Sequence, residues 1–165
     1  MQVPIRTGLG YDCHRFAEGR PLILGGIQFE HARGLQGHSD ADVLTHAIID
    51  ALLGAAGLAD IGAHFPDTDE RYRGCDSLEL LQTTAAKLAA RGLTVGNVDA
   101  TVVIERPALA PFRDAMREKL AGALGISVAQ VNVKATRGEG LGFVGREEGV
   151  AALAVATVMA TNENR

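Results

Sequence analysis

From Val43 to Leu52 the apolar residues Val43, Leu44, Ala47, Ile48, Ala51 and Leu52 recur at helical spacing, whereas segments such as "VNVKAT" alternate with a period of two. That switch of period restricts the chain to folds in which helices lie against a sheet. Ser39, with Asp42 three residues later, has the spacing of a capping box, and Gly54 or Gly57 can end the helix. Upstream, "GYDCHRF" reads as a strand, and "PLILGGIQFEH" as two short strands turning at Gly25-Gly26. Downstream, "DSLELLQTTAAKLAARG" predicts a second helix capped by Asp76 and stopped by Gly92, and "LTVGNVDATVVI" a β-branched strand. "PFRDAMREKLAGALG" predicts a third helix opening at Pro111 with Phe112, Met116, Leu120 and Leu124 on one face, followed by the strand "VNVKAT". The run from Val150 to Ala160 is apolar at nearly every position and fits either a strand covered on both faces or a buried helix; a strand is favoured. The expected fold is α+β, a mixed sheet with helices packed on one face, as one domain over residues 1–165. With 4% aromatic residues and no Trp, its core must be built from Ala, Val, Leu and Ile.

A formal net charge of −4 gives no field for a phosphate backbone or an anionic membrane, so nucleic acid and membrane are not expected partners. An anionic substrate would then have to be drawn by a local cation. Two cysteines, Cys13 and Cys75, are too few for a disulfide framework and read as reduced thiols. The start "MQVPIRTGLGYD" shows no apolar leader, and the expected location is the cytoplasm.

Side chains two apart on a strand share a face, so Asp12 and His14 point the same way while Cys13 points to the other side. On its own the pair reads as two polar residues on an edge strand. His46 lies on the first helix with Asp42 and Asp50 one turn to either side, a polar face distinct from the apolar stripe. Together, one carboxylate and two imidazoles make the three-ligand set of a catalytic zinc site, with Asp42 or Asp50 available to orient an imidazole. His38-Ser39-Asp40 precedes the helix, where free backbone N–H groups favour an anion such as phosphate; Ser39 also fits a simple helix cap.

"DIGAHFPDTD" sets Asp60, His64, Asp67 and Asp69 around Phe65 in a Gly- and Pro-broken loop suited to hydroxyl recognition, to a second cation, or to plain turns. "VKATRGEGLGFVGREEG" holds Gly140, Gly142 and Gly145 at dinucleotide-fingerprint spacing, but too little chain follows for the helix and strand such a unit needs. In this segment Lys134, Arg137 and Arg146 are cationic partners, and Glu139 is a hard oxygen ligand for a magnesium-like ion.

In this order, "GYDCHRF", "GHSDADVLTHAIIDALLGAAGLADIGAHFPDTD", "LTVGNVDATVVIERP", "VNVKAT" and "GLGFVGREEG" resemble the 2-C-methyl-D-erythritol 2,4-cyclodiphosphate synthase family along nearly the whole chain. The resemblance implies a metal-dependent homotrimer of ferredoxin-like subunits with active sites in the clefts between neighbours. Its implied reaction cyclises 4-diphosphocytidyl-2-C-methyl-D-erythritol 2-phosphate, releases CMP and serves non-mevalonate isoprenoid synthesis. It implies Zn2+ or another divalent transition metal on Asp12, His14 and His46, with Mg2+ or Mn2+ on Glu139. His38 is implied as the catalytic residue, and with Ser39 it meets the phosphate end of the substrate. Asp60, Ile61, Gly62, Phe65, Pro66, Asp67, Thr68 and Asp69 would hold the methylerythritol portion. Ile104 and Pro107, Ala108, Leu109 and Ala110, with Ala135 and Thr136, correspond to a cytidine pocket contributed by the adjacent subunit. Phe143 and Arg146 fall near the trimer axis, at an apolar cavity.

Two positions depart from the family pattern. Thr136 is followed by Arg137 and Gly138 where a threonine run is common, and Pro107 by Ala108 where Lys is common. Arg106 or Arg137 is the candidate for the missing charge. The reaction brings a phosphate oxygen against the β-phosphorus of a diphosphate, a convergence of negative charge that divalent ions offset, and it needs no protein nucleophile. A zinc phosphoesterase using metal-bound water, and a non-catalytic metal-stabilised trimer, are the competing readings.

Overall fold

The computed structural model describes residues 5–161. The chain runs through β1 (Ile5–Ala17), β2 (Leu22–Leu24), β3 (Ile27–Phe29), β4 (Gly34–Leu35), α1 (Val43–Ala56), α2 (Ile61–His64), α3 (Ser77–Ala89) and β5 (Leu93–Val103). It continues through α4 (Arg113–Leu124), β6 (Val131–Thr136), α5 (Gly142–Gly145) and β7 (Gly149–Ala160). The main sheet has the order β4-β1-β7-β5-β6, and β2 pairs with β3 as a separate hairpin. β7 runs antiparallel to both β1 and β5, while β6 is parallel to β5, so the sheet is mixed. Helix α1 packs across β1, β7 and β5, α4 against β6, and α3 against both helices, which puts the helical layer on one face. The apolar run 150–160 is a strand, and its even positions Ala152, Ala154, Ala156 and Val158 are buried beneath the helices.

Small residues let α1 lie unusually close to the sheet. A Cβ on Gly10 would stand 1.8 Å from the Ala47 carbonyl oxygen, and one on Gly8 would stand 2.0 Å from that of Ala51. Along β1 the helix-facing positions are therefore Gly8, Gly10, Asp12 and His14: two glycines that admit the helix backbone, then two polar groups at its N-terminal end. Pairing of Asp12 with Ala152 and His14 with Val150 holds that register.

Three sequence expectations are corrected. Helix α1 starts at Val43, with Asp42 rather than Ser39 as N-cap; Ala41 has φ +59°, which breaks the helical path, and the Asp42 carboxylate accepts from Thr45 N at 3.1 Å. Nor does α1 carry a polar face, since it is buried on almost every side and ends at the left-handed Gly57. Pro111 opens only a 3-10 turn over Ala110–Phe112, so Phe112 leaves the α4 stripe and meets Phe29 edge to face at 4.9 Å.

Candidate metal centre and substrate cleft

Strand β1 and the first turn of α1 bring three ligand atoms into a triangle. His14 Nε2 lies 2.9 Å from Asp12 Oδ2, His46 Nδ1 lies 3.1 Å from the same oxygen, and the two ring nitrogens are 3.1 Å apart. Tetrahedral coordination at roughly 2.0–2.1 Å separates ligand atoms by about 3.3 Å, so the donor set and its spacing fit a zinc-like ion. Among the described residues it is also the one group of three or more such side chains whose ligand atoms converge.

The surroundings orient the ligands. His14 Nδ1 donates to the Gln36 carbonyl at 2.7 Å, which turns Nε2 to the cluster side. His46 Nε2, on the ring edge away from the cluster, lies 2.9 Å from Ser77 Oγ and 3.1 Å from Ser39 Oγ. Burial alone would raise the Asp12 carboxyl, but hydrogen bonds from His14 and His46 outweigh it and hold the group well below the usual carboxylate range. Burial works to lower His14, and the hydrogen bond and charge of Asp12 overcome it, lifting the imidazole above its ordinary value.

Neither acid expected to orient an imidazole does so. Asp42 spends its oxygens on Gly25 N at 2.9 Å, Gly26 N at 2.8 Å and the Thr45 hydroxyl at 2.7 Å, tying the β2–β3 hairpin to α1. Asp50 accepts from Ile61 N at 2.7 Å. The second-sphere partners are instead Ser39 and Ser77, and Ser77 lies 31 residues from His46 in sequence.

A cleft of about 420 Å³ opens over the triangle, lined by Asp12, His14 and His46 together with His38, Ser39, Ile61, Gly62, Phe65, Pro66 and Asp67. Gly37, Tyr72 and Leu80 complete the wall, and no local pattern in the sequence marked them. His38 Nε2 is buried with no hydrogen-bond partner among the described residues. Asp60, Thr68 and Asp69 do not line this cleft: Asp60 caps α2 through Ala63 N, and Asp69 pairs with Arg71.

A second depression, of about 130 Å³, is lined by Ile104, Glu105, Pro107, Ala108, Leu109 and Ala110, with Ala135, Thr136 and Arg137. It shares no lining residue with the metal cleft. Glu139 is exposed in the left-handed conformation, φ +53°, outside the ligand triangle. Phe143 lines a third cavity of about 300 Å³ with Cys13, His14, Arg15 and Glu148, His14 being shared with the metal cleft, and Arg146 pairs with Glu148 at 2.7 Å.

The fold and site together define a class of mixed α+β protein in which one strand and one helix bring a carboxylate and two imidazoles, a set able to hold a metal ion, together at the floor of a cleft. Residues 5–159 match the YgbB family, and the chain belongs to it. It is 64% identical over 159 residues to the "Bifunctional enzyme IspD/IspF" of Anaeromyxobacter dehalogenans, covering 96% of this chain and 41% of that one. It is 62% identical over 152 residues to the 2-C-methyl-D-erythritol 2,4-cyclodiphosphate synthase of Thermosynechococcus vestitus, covering 92% of this chain and 94% of the relative. The chain thus spans about two fifths of the bifunctional relatives and nearly all of the shorter ones. Among solved structures, the bifunctional IspDF from Campylobacter jejuni aligns with a TM-score of 0.91 at 44% identity, over 94% of this chain and 42% of that one. The Plasmodium falciparum IspF CDP complex aligns with a TM-score of 0.85 at 29% identity, over 98% and 100%.

Proposed function

We propose that this chain catalyses the cyclisation of 4-diphosphocytidyl-2-C-methyl-D-erythritol 2-phosphate to 2-C-methyl-D-erythritol 2,4-cyclodiphosphate with release of CMP. The observation that carries the reading is the ligand triangle of Asp12, His14 and His46 at the floor of a cleft whose walls include His38 and Ser39. Relatives bearing the synthase name at 55–62% identity over more than nine-tenths of this chain support it.

In this reading Asp12, His14 and His46 hold Zn2+ or a similar ion, and Glu139 contributes to an Mg2+ or Mn2+ site. When bound, such ions supply Lewis-acid polarisation of the diphosphate and offset its charge. His38, Ser39 and the backbone around Ile61–Asp67 position the phosphate and methylerythritol portions, and Phe65 and Pro66 exclude water from that end of the cleft. Asp60, Thr68 and Asp69 serve by shaping this wall. The depression formed by Ile104, Pro107, Ala108, Leu109, Ala110, Ala135 and Thr136 receives the cytidine, with Arg137 as its cationic neighbour.

Because the cytidine depression and the metal cleft are separate within one chain, a complete site takes one half from each of two copies. The helix-free face of the sheet supports such assembly: Leu9, Tyr11, Leu153, Val155 and Met159 are exposed there, a large apolar surface for a free monomer. We therefore propose a trimer of ferredoxin-like single-domain subunits, with Phe143 and Arg146 near its axis. No helix among the described residues is long and apolar enough to cross a membrane; the cytoplasm is the location this proposal takes for the reaction. The test is incubation with the diphosphocytidyl substrate, Zn2+ and Mg2+ in 18O-labelled water. Cyclisation gives CMP and a cyclic diphosphate free of solvent oxygen; labelled phosphate products, or no CMP, would refute it.

A further inference from the structure

His46 turns Nδ1 toward the ligand triangle and Nε2 away from it, so a hydrogen kept on Nε2 leaves Nδ1 as the atom open to a cation. That hydrogen is held from the far edge of the ring. Ser77 Oγ, fully buried, donates its proton to Asp40 Oδ1, because a carboxylate only accepts. The same Asp40 carboxylate accepts from Ser77 N at 3.0 Å and from Asp42 N at 3.1 Å, so it is anchored to both segments it joins. With its only proton committed, Ser77 Oγ meets His46 Nε2 at 2.9 Å as an acceptor, so Nε2 carries a hydrogen, while Nδ1 faces the Asp12 carboxylate oxygen at 3.1 Å and gives up any hydrogen of its own when a cation binds.

We infer that Ser77 and Asp40 form a positioning relay for His46, keeping a hydrogen on Nε2 so that Nδ1 is the ring atom that meets a cation beside Asp12 and His14. The inference rests on the metal-binding reading of the triangle but not on the identity of the reaction. Backbone bonds from Asp40 N to the Cys75 carbonyl at 3.0 Å and from Gly74 N to the His38 carbonyl at 2.7 Å lace the 38–42 loop to the start of α3. The relay therefore sits on a braced junction, where the Asp40 carboxylate and the Ser77 hydroxyl keep a fixed relation to the ring. Partners of this kind typically govern metal affinity by about 10–100-fold.

The experiment has two parts on the full chain. Nitrogen-15 NMR of imidazole-labelled, metal-stripped wild-type protein at pH 8 reads the His46 tautomer directly and needs no variant. The relay requires a hydrogen on Nε2, with or without one on Nδ1; a ring that carries its hydrogen on Nδ1 alone overturns it. Zinc titration of stripped Ser77→Ala, shown folded by circular dichroism, should give a dissociation constant raised about 10–100-fold, with a mixed His46 tautomer. Unchanged affinity and tautomer in Ser77→Ala overturn the relay, whatever that variant does to CMP release. Weakened zinc binding in the variant, beside a wild-type chain that binds zinc but yields no CMP, supports the relay and refutes the cyclisation instead. A wild-type chain that binds no zinc overturns both.

Discussion

Replacing Gly10 with Ala tests how the ligand triangle is assembled. The added methyl would lie 1.8 Å from the Ala47 carbonyl oxygen and 2.7 Å from Ala51 N, where real Cβ contacts stay beyond 3.0 Å. Both obstacles are backbone of α1, so no side chain can swing away, and the helix must lift from the sheet by about 1.2 Å. His46 precedes Ala47 on the helix and moves with it, while Asp12 and His14 stay on β1. Metal ligation tolerates shifts of about 0.2 Å, so zinc affinity should fall by on the order of 100-fold or more. Overpacking against rigid backbone costs about 3 kcal/mol, the upper end of the usual range, which for a chain of this size lowers the melting midpoint by roughly 6–12 °C. Calorimetry and zinc titration of the stripped protein read both effects. Gly122→Ala is the control: no heavy atom stands within 4 Å of the place its methyl would take on α4, and it should gain about 0.5–1 kcal/mol with unchanged zinc affinity. A Gly10→Ala protein with wild-type melting and zinc binding would refute the close-approach argument.

Zinc affinity should weaken on acidification from above pH 6.5, because His14 in the metal-free protein holds its proton more tightly than an ordinary imidazole of pKa 6.5. Isothermal titration in buffers of different ionisation enthalpy would detect the displaced proton, and affinity constant between pH 8 and pH 6 would contradict it. For the metal-free fold the signs are opposite for the two groups. The stabilisation from the raised His14 is full below pH 6.5 and lost as pH rises through its folded value, whereas that from the lowered Asp12 is full above pH 3.8 and lost on acidification. If copies assemble through the open sheet face as proposed, Leu153→Asp should give monomers in sedimentation and lose the proposed CMP release while the helix-covered core stays folded; an assembled, active variant would show that this face is not the interface.

The strand alternation in "GYDCHRF" was enough to place Asp12 and His14 on one side of β1, and the helical period placed His46 on α1. That the three could form one ligand set was read from their residue types, but how they are brought together was not legible, because it depends on two glycines that let a helix backbone rest against a strand, and a glycine in sequence does not reveal what approaches it. The orienting partner of His46 was misread for a related reason. Asp42 and Asp50 are its neighbours along the helix, yet backbone donors from the β2–β3 turn and from α2 claim both, and the contact is made by Ser77 from another helix. Ser39 read as a helix cap because its spacing to Asp42 was right, but the left-handed Ala41 moved the helix start and left the serine facing the cleft. The run over Val150–Ala160, where periodicity could not choose between strand and helix, was favoured as a strand and lies within β7.

X-ray absorption at the zinc edge of the purified full chain probes the centre itself. One zinc per chain is expected, bound by two imidazole nitrogens and one carboxylate oxygen at about 2.0–2.2 Å, with the imidazole signal halved in His46→Ala. A chain that binds no zinc, or whose bound zinc shows sulfur ligands or an imidazole signal unaffected by His46→Ala, would contradict it.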